Sequence, residues 1–212
     1  AVSRPLDGIT VVSLEQAVAA PFATRQLADL GARVIKIERP EGDFARGYDT
    51  KVRGMASYFV WVNRSKESVV LDLKSPQGAE ALRRLVASAD VFVQNLAPGA
   101  VERLGFGPEA ALALNPRLIH VSISGYGRGG PYERKKAYDL LVQCESGLVS
   151  VTGTEGEPVK VGVSIADIAS GMYAYSGVLA ALIQRGRTGV GDAIEISMLE
   201  ALGEWMSQPW YY

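Results

Sequence analysis

The chain contains 212 residues, 48% of them hydrophobic and 21% charged, which excludes a disordered or collagen-like protein and fits one large or two small globular domains. Its 22 basic and 23 acidic residues give a net charge of −1, so no overall field attracts nucleic acid or an anionic membrane. One cysteine cannot form an internal disulfide, and one histidine with one cysteine cannot form an ordinary zinc site. Because the first five residues also lack an apolar signal core, we expect a cytoplasmic protein without a bound metal.

The first two thirds of the chain alternate strand-like and helix-like patterns. Short β-branched runs occupy residues 9–14, 34–38, 68–73, 91–94 and 118–124. One helical pattern opens at Pro21 and stops at Gly31, and another has Ser75 as its N-cap and Pro76 in its first turn. Apolar strands without alternation, separated by helices, predict an α/β fold with a doubly wound, Rossmann-like, mostly parallel sheet and helices on both faces.

The last third of the chain changes in character. Residues 146–163 are rich in Gly, Thr and Glu and predict a loop or hairpin. The uncharged residues 168–184 are too few to span a bilayer, which needs roughly 20, so they predict a buried helix. Four small residues of this helix form a stripe that lets another backbone approach: Ser170, Ala174, Gly177 and Ala181. A strand at 193–197 and a helix at 198–207 follow, and the aromatic residues 210–212 indicate that more protein covers them.

Residues 125–130 match the G-x-G-x-x-G fingerprint of dinucleotide-binding proteins, which raises the alternative of a nicotinamide-dependent dehydrogenase. That motif belongs in the first strand-to-helix turn, with a helix starting inside it. Here Pro131 and a charged segment follow, and the first turn, residues 15–20, contains no glycine. We therefore predict a flexible surface loop.

His120 and Cys144 are the only residues of their types and are the first candidates for catalysis. His120 lies in a strand that is predicted to be buried, and Cys144 lies in a predicted helix. A hydrogen-bonded structural histidine and a packed, inert thiol are the expected roles.

Basic residues follow the predicted strands, at the edge where parallel sheets bind ligands. They are Arg39, Lys74, Arg103, Lys135 and Lys136. Separated cations fit a ligand with several phosphates, but an ordinary solvated face explains the same spacing and is favoured by the pattern alone. Asn95 also follows a strand, where it can hold either a turn or a ligand.

Asp167 is a lone acidic residue among apolar and small residues, where the long helix begins. As an N-cap, its carboxylate would accept hydrogen bonds from the first free N–H groups of that helix. In a partly dry site the same carboxylate can attack an activated acyl group as a nucleophile. The local pattern favours the cap.

Several segments, in order along essentially the whole chain, resemble the class III CoA-transferases, also called the formyl-CoA transferase or carnitine CoA-transferase family. They are residues 5–9, 31–39, 63–66, 71–74, 94–95, 98–99, 103–105, 115–119, 124–127 and the segment around Asp167. The resemblance favours a catalytic role for Asp167 over a helix cap, and a ligand-binding role for the basic residues over an ordinary solvated face. It implies an enzyme that moves coenzyme A from an acyl-CoA thioester to a free carboxylic acid, with CoA as part of the substrate and no metal.

In this resemblance Asp167 matches the catalytic aspartate, which forms a mixed anhydride, then an aspartyl-CoA thioester, then a second anhydride. Thioesters and anhydrides are already activated, so no histidine base is needed. The residues that match CoA-holding positions are Val18, Ala19, Arg39, Leu71, Asp72, Leu73, Lys74, Asn95, Leu96, Ala97, Arg103 and Lys136. Val18 stands where formyl-CoA transferases have glutamine, which argues against a formyl or oxalate substrate. A small branched dicarboxylate such as mesaconate or citramalate is the acceptor that the resemblance favours.

A racemase branch of the same family isomerises α-methylacyl-CoA thioesters and pairs the aspartate with a histidine. Tyr138 occupies that place here, and a phenol with a pKa near 10 is a poor base, so the transferase is preferred. Family members are about twice as long, with a smaller second domain and two interlocked subunits. Residues 1–212 are therefore expected to be the N-terminal portion of a large CoA-binding domain. A non-catalytic fragment is the remaining alternative.

Overall fold

A computed structural model describes residues 3–212, and its centre is a six-stranded sheet in which every pair of neighbouring strands is parallel. The strands of this sheet are β1 (Thr10–Leu14), β2 (Arg33–Glu38), β3 (Lys66–Val70), β4 (Val91–Gln94), β5 (Ile119–Ser124) and β8 (Asp192–Ser197). Their order is β3-β2-β1-β4-β5-β8, which is the doubly wound arrangement, so the predicted fold class is confirmed. The strand order reverses between β1 and β4, because β2 and β3 follow on one side of β1 and β5 and β8 lie on the other side of β4. Doubly wound sheets bind ligands outside the carboxyl ends of the strands at such a point.

The other regular elements are mostly helices. They are α1 (Ala19–Asp29), α2 (Ser57–Asn63), α3 (Pro76–Ser88), α4 (Ala100–Arg103), α5 (Pro108–Leu114), α6 (Asp139–Glu145), α7 (Ile165–Thr188), α8 (Met198–Trp205) and α9 (Ser207–Tyr211). The predicted hairpin is a two-stranded antiparallel pair, β6 (Gly153–Thr154) with β7 (Glu157–Pro158). Ser75 caps α3 as predicted, since its hydroxyl accepts a hydrogen bond from the N–H of Gly78 at 3.0 Å.

Both faces of the sheet are covered. One apolar cluster joins the sheet to α1 and α7, through residues such as Leu27, Ala174 and Val178. A second cluster on the other face joins it to α3 and α5, through Leu82 and Ala111. Both sides of a central strand are covered, which explains why β1 and β4 are largely apolar on both faces. β5 is also central but alternates apolar residues with His120, Ser122 and Ser124.

The third strand begins and ends earlier than the predicted residues 68–73. β3 ends at Val70, opposite Glu38, the last residue of β2. The backbone then turns, and the Asp72 carboxylate accepts a hydrogen bond from the N–H of Lys74 at 3.0 Å. Leu71 and Leu73, which suggested a longer strand, pack instead from this turn onto the second apolar cluster.

The long helix α7 has 24 residues and extends beyond the uncharged stretch at both ends. Among residues 3–212 it is the one helix that is long and apolar enough, by those two criteria alone, to cross a membrane; here it packs against α1, β5 and α8. Three members of its small-residue stripe, Ser170, Ala174 and Ala181, are buried. The predicted close approach of another backbone occurs beside the stripe, at Gly171, where an added Cβ atom would lie 2.8 Å from the carbonyl oxygen of Ala19.

Substitution at Gly171 tests this helix contact. We expect Gly171→Ala to lower the free energy of unfolding by about 1–3 kcal/mol, because the new methyl group would press on Ala19 and Phe22 of α1. Gly186→Ala, in the same helix, has open space around it and should instead stabilise by up to about 1 kcal/mol through helix propensity. Chemical denaturation measures both, and equal effects of the two substitutions would contradict the close packing of α1 on α7.

Candidate active site

Two neighbouring clefts lie along the carboxyl edge of the sheet. The larger, about 770 Å³, is here called the Asp167 cleft, and the smaller, about 600 Å³, is called the Arg39 cleft. Gln16 and Leu96, at the ends of β1 and β4, line both clefts and separate them. Of the predicted site residues, the Asp167 cleft contains Val18, Ala19, Asn95, Leu96, Ala97, Lys136 and Asp167, and the Arg39 cleft contains Arg39, Leu71, Asp72, Leu73, Lys74 and Leu96.

Asp167 is the third residue of α7, so its interpretation as an N-cap is wrong. The cap position is Ser164, whose side chain makes no capping hydrogen bond. The carboxylate of Asp139, at the start of α6, takes this role: its Oδ1 accepts hydrogen bonds from the N–H groups of Ala166 at 2.8 Å and Asp167 at 3.0 Å. The Asp167 carboxylate makes no hydrogen bond to any residue within 3–212 and lies at the wall of the cleft.

The surroundings of Asp167 disfavour its negative charge. Burial raises the pKa of this carboxyl group from 3.8 to about 7, and the negative charge of Asp139 contributes in the same direction. Within residues 3–212, no cation is among the groups that shift this pKa. A carboxylate of this kind is more basic than an exposed aspartate and is correspondingly a better nucleophile.

The loop between β1 and α1 passes directly beside Asp167. Its backbone adopts a left-handed conformation at Ala17, with φ of 62°, and the N–H of Ala17 donates to Oδ1 of Asp43 at 3.2 Å. The side chains of Val18 and Ala19 are buried, and Val18 packs with Phe22 in a small apolar cluster under the loop. Beyond Gln16, this loop therefore borders the cleft with backbone and with the small side chains of Ala17, Val18 and Ala19.

Asn95 holds this loop from the neighbouring strand. Its Oδ1 accepts a hydrogen bond from the N–H of Gln16 at 2.9 Å, and its Nδ2 donates to the carbonyl of Gln16 at 2.8 Å. The oxygen and the nitrogen of the Asn95 side-chain amide therefore both bond to the backbone of the protein. Of the two roles left open for Asn95, the structure shows the turn-holding one, and Leu96 and Ala97 follow as the cleft-lining residues.

The predicted basic residues are distributed over both clefts. Arg39 is exposed and donates through Nε to the carbonyl of Gly42 at 3.0 Å. Lys74 and Lys136 are exposed and have no ion-pair partner within the described residues 3–212. Arg103 is exposed on α4 and lines neither cleft, although its neighbour Leu104 borders the Arg39 cleft. Lys135 pairs with Glu145 and so is less available than Lys136.

Tyrosines surround the mouth of the Asp167 cleft. Tyr138 is 65% exposed, and Tyr58 contacts the hydroxyl of Ser164 at 3.0 Å. Burial raises the pKa of Tyr48 above its usual value, and the charges of Asp43 and Asp167 add to the effect. The hydroxyl groups of these tyrosines can donate hydrogen bonds to a ligand oxygen.

His120 is structural, as predicted. It is completely buried, its Nε2 lies 3.0 Å from the carbonyl oxygen of Phe106, and burial lowers its pKa. The prediction for Cys144 is wrong in its environment: the thiol is exposed, because α6 turns Val142 and Gln143 inward and Cys144 outward. The glycine-rich loop at 125–130 opens no helix, since α6 begins only at Asp139, and this argues against a dinucleotide site.

A buried ionic network beneath the first loop was missed by the sequence analysis. Lys36 Nζ lies 2.7 Å from Oδ2 of Asp43, and Lys66 Nζ lies 2.6 Å from Oε1 of Glu15. Asn63 joins the two pairs, because its Oδ1 accepts from both lysines. Burial lowers the pKa of Lys66 to about 8. The signal was available in Lys36, a charged residue inside an otherwise apolar strand.

Residues 6–212 match the sequence model of CoA-transferase family III, so the doubly wound domain with an acidic residue in its cleft belongs to that family. Within residues 3–212, no three His, Cys, Asp or Glu side chains come together in a way that could hold a metal ion.

Individual relatives agree with the family match. The chain is 41% identical over 201 residues to succinyl-CoA:glutarate CoA-transferase of Homo sapiens, covering 93% of this chain and 46% of that protein. It is 40% identical over 202 residues to formyl-CoA:oxalate CoA-transferase of Streptomyces coelicolor, covering 94% and 49%. The crystal structure of a CAIB/BAIF family protein from Brucella suis superposes with a TM-score of 0.92 at 39% identity, covering 98% of this chain and 56% of that one. The chain thus spans about half the length of the curated relatives it matches.

The buried network can be separated from surface ion pairs by two matched substitutions. We expect Lys66→Met to lower the free energy of unfolding by about 3 kcal/mol, because Glu15 loses its closest cation inside the protein. Arg33→Met removes an exposed partner of Glu67 and should cost much less, because solvent screens an exposed ion pair. Urea denaturation near neutral pH measures both. Similar small losses in the two variants would show that the network contributes no more than a surface pair.

Proposed function

We propose that the protein transfers coenzyme A from an acyl-CoA thioester to a free carboxylic acid and that Asp167 is the nucleophile. The single observation that carries this proposal is the Asp167 carboxylate at the wall of a large cleft, unbonded to residues 3–212 and with its pKa raised to about 7. Membership of CoA-transferase family III supports the same reaction.

The proposed reaction proceeds through four exchanges at carbonyl carbon. The Asp167 carboxylate attacks the thioester carbonyl, and the C–S bond breaks, which gives a mixed anhydride of Asp167 with the donor acid and releases CoA as a thiolate. The thiolate then attacks the aspartyl carbonyl and expels the donor acid as its carboxylate. The acceptor carboxylate attacks the aspartyl thioester, and the released thiolate attacks the acceptor carbonyl of the second anhydride. This last step regenerates Asp167, and each leaving group is a stable anion that needs no proton.

The two clefts suit the two ends of a CoA thioester. The cations Arg39 and Lys74 border the Arg39 cleft, where they would pair with phosphate groups. The pantetheine chain would cross at Leu96 and Ala97, which brings the thioester to Val18, Ala19 and Asp167. Lys136 borders the Asp167 cleft, and Arg103 would need a side-chain movement to contact the ligand.

The acceptor that we propose is a small dicarboxylate. Relatives named for glutarate and oxalate support a short diacid, and the cations Lys136 and Lys160 border the Asp167 cleft, where they can bind a second carboxylate. We further propose that the enzyme acts in the cytoplasm as an interlocked homodimer. Contacts to the developing oxyanion from outside these residues would complete the site.

A racemase of α-methylacyl-CoA thioesters is supported less well. It requires a base for the α-proton, and among residues 3–212 the cleft offers tyrosines such as Tyr138 in place of histidine. The alternative of a non-catalytic fragment predicts that no pair of acyl donor and acid acceptor is turned over.

Substitution of Asp167 tests the reaction. Asp167→Asn keeps the shape of the side chain but removes the nucleophile, and we expect exchange of labelled glutarate into CoA thioester to fall by at least about 10³-fold. Hydroxylamine trapping should mark Asp167 in the parent protein alone after incubation with succinyl-CoA. Asp192→Asn, on the exposed edge strand β8, is the control and should exchange normally. Exchange that persists in Asp167→Asn contradicts the proposal.

Asp167→Asn should also be more stable than the parent protein at high pH. The folded protein binds the Asp167 proton up to about pH 7, whereas the unfolded chain releases it near 3.8, so ionisation destabilises the fold increasingly between these values. Asp167→Asn removes this penalty and should raise the free energy of unfolding by roughly 2–4 kcal/mol above pH 7 and by little at about pH 4. Denaturation at the two pH values measures the difference, and a gain independent of pH would contradict the raised pKa.

A further inference from the structure

Asp139 connects three walls of the Asp167 cleft. Its Oδ1 accepts the two N–H groups at the start of α7, and its Oδ2 accepts a hydrogen bond from Nε2 of Gln143 at 2.5 Å. The Oε1 of Gln143 in turn accepts the N–H of Val161 at 3.2 Å, in the segment that follows β7. Gln143 is buried, so these bonds are shielded from water. Residues of α6, α7 and the segment after β7 are thereby fixed relative to one another.

The capping bonds of Asp139 determine where the Asp167 side chain can point. Without them, the free N–H groups of the first turn would attract the nearest carboxylate, which is that of Asp167 itself. Because Asp139 already satisfies those groups, Asp167 has no local donor to turn back to. Its carboxylate is left on the cleft side without a hydrogen bond within residues 3–212.

Asp139 also places a negative charge that acts on Asp167. The other titratable groups that line the cleft with Asp167 are the phenols of Tyr48, Tyr58 and Tyr138 and the charged groups of Glu133, Arg134, Lys135, Lys136 and Lys160. Among residues 3–212, Asp139 is the charge that contributes to the raised pKa of Asp167, second to burial. A carboxylate next to a like charge is more basic and gains more by forming a covalent bond to carbon.

We propose that Asp139 is a positioning residue for Asp167: it caps α7 in place of Asp167 and keeps the Asp167 carboxylate strongly nucleophilic by holding a negative charge beside it. This inference rests on the proposed function for its role in catalysis. The effect of Asp139 on the ionisation of Asp167 requires no substrate and is measured separately.

The test follows the carboxyl carbon of Asp167 by NMR during pH titration of the ligand-free protein. In Asp139→Asn the side chain keeps an oxygen for the N–H groups of α7 but loses its charge, so the Asp167 midpoint should fall by at least about half a pH unit. Glu109→Gln, in the exposed first turn of α5 on the other face of the sheet, removes the same net charge and should leave the midpoint unchanged. A midpoint in Asp139→Asn equal to that of the parent overturns the proposal.

A second variant keeps the proposal testable if Asp139→Asn does not fold. Asparagine at position 139 turns its amide toward the amide of Gln143, whereas serine avoids this contact and still caps a helix. Asp139→Ser should therefore also lower the Asp167 midpoint while keeping a cooperative unfolding transition, and an unchanged midpoint there overturns the proposal as well.

Kinetics distinguishes the two proposals. If exchange of CoA occurs, the acid limb of its pH profile should move to lower pH in Asp139→Asn, in step with the NMR midpoint, and a limb that stays in place overturns the catalytic role of Asp139. If the parent protein shows no exchange while the midpoint still shifts, the proposed function fails and the electrostatic coupling of the two residues stands.

Discussion

The ionic network of Lys36, Asp43, Lys66 and Glu15 is the interaction on which the geometry of the clefts depends. Asp43 bonds both to Lys36 and to the N–H of Ala17, so it links a strand interior to the strained first loop. That loop fixes one wall of the Asp167 cleft, and Asn95 fixes it from the other side. Buried charges are costly unless fully paired, and here Asp43 and Lys66 also bond to backbone, at Ala17, Ala45 and Pro21.

Asp167 differs from the charges of this network, because its carboxylate is buried without a paired cation among residues 3–212. The residues around it satisfy the helix terminus, but no residue of 3–212 bonds to its own carboxylate. Burial raises the pKa of that carboxyl group and so costs folding free energy when it is ionised. An unsatisfied acid is a poor structural element and a good nucleophile. The fold tolerates this cost because α7 is anchored along its length, from its small residues on α1 to Arg185, whose guanidinium bonds to Asp90 at the opposite edge of the sheet.

The parallel sheet could be predicted because β1 and β4 place apolar residues on both faces, whereas β5 alternates apolar residues with His120, Ser122 and Ser124. The edge strand β3 could not be placed accurately, since Leu71 and Leu73 pack from a turn and look like strand residues. Asp167 was identified by resemblance, whereas the local pattern pointed to a cap. The cap that α7 uses comes from Asp139, 28 residues away, and no local pattern reveals a bond over that separation.

The exposed thiol of Cys144 has a practical consequence. It is the sole cysteine of the chain and lies on α6, the same short helix that carries Asp139 and Gln143. A thiol-reactive fluorophore would therefore attach at one point, outside the cleft, on the element that joins its walls. Changes in the emission of such a dye would report rearrangement of that helix as acyl donors are added, in real time and without radioactive substrates.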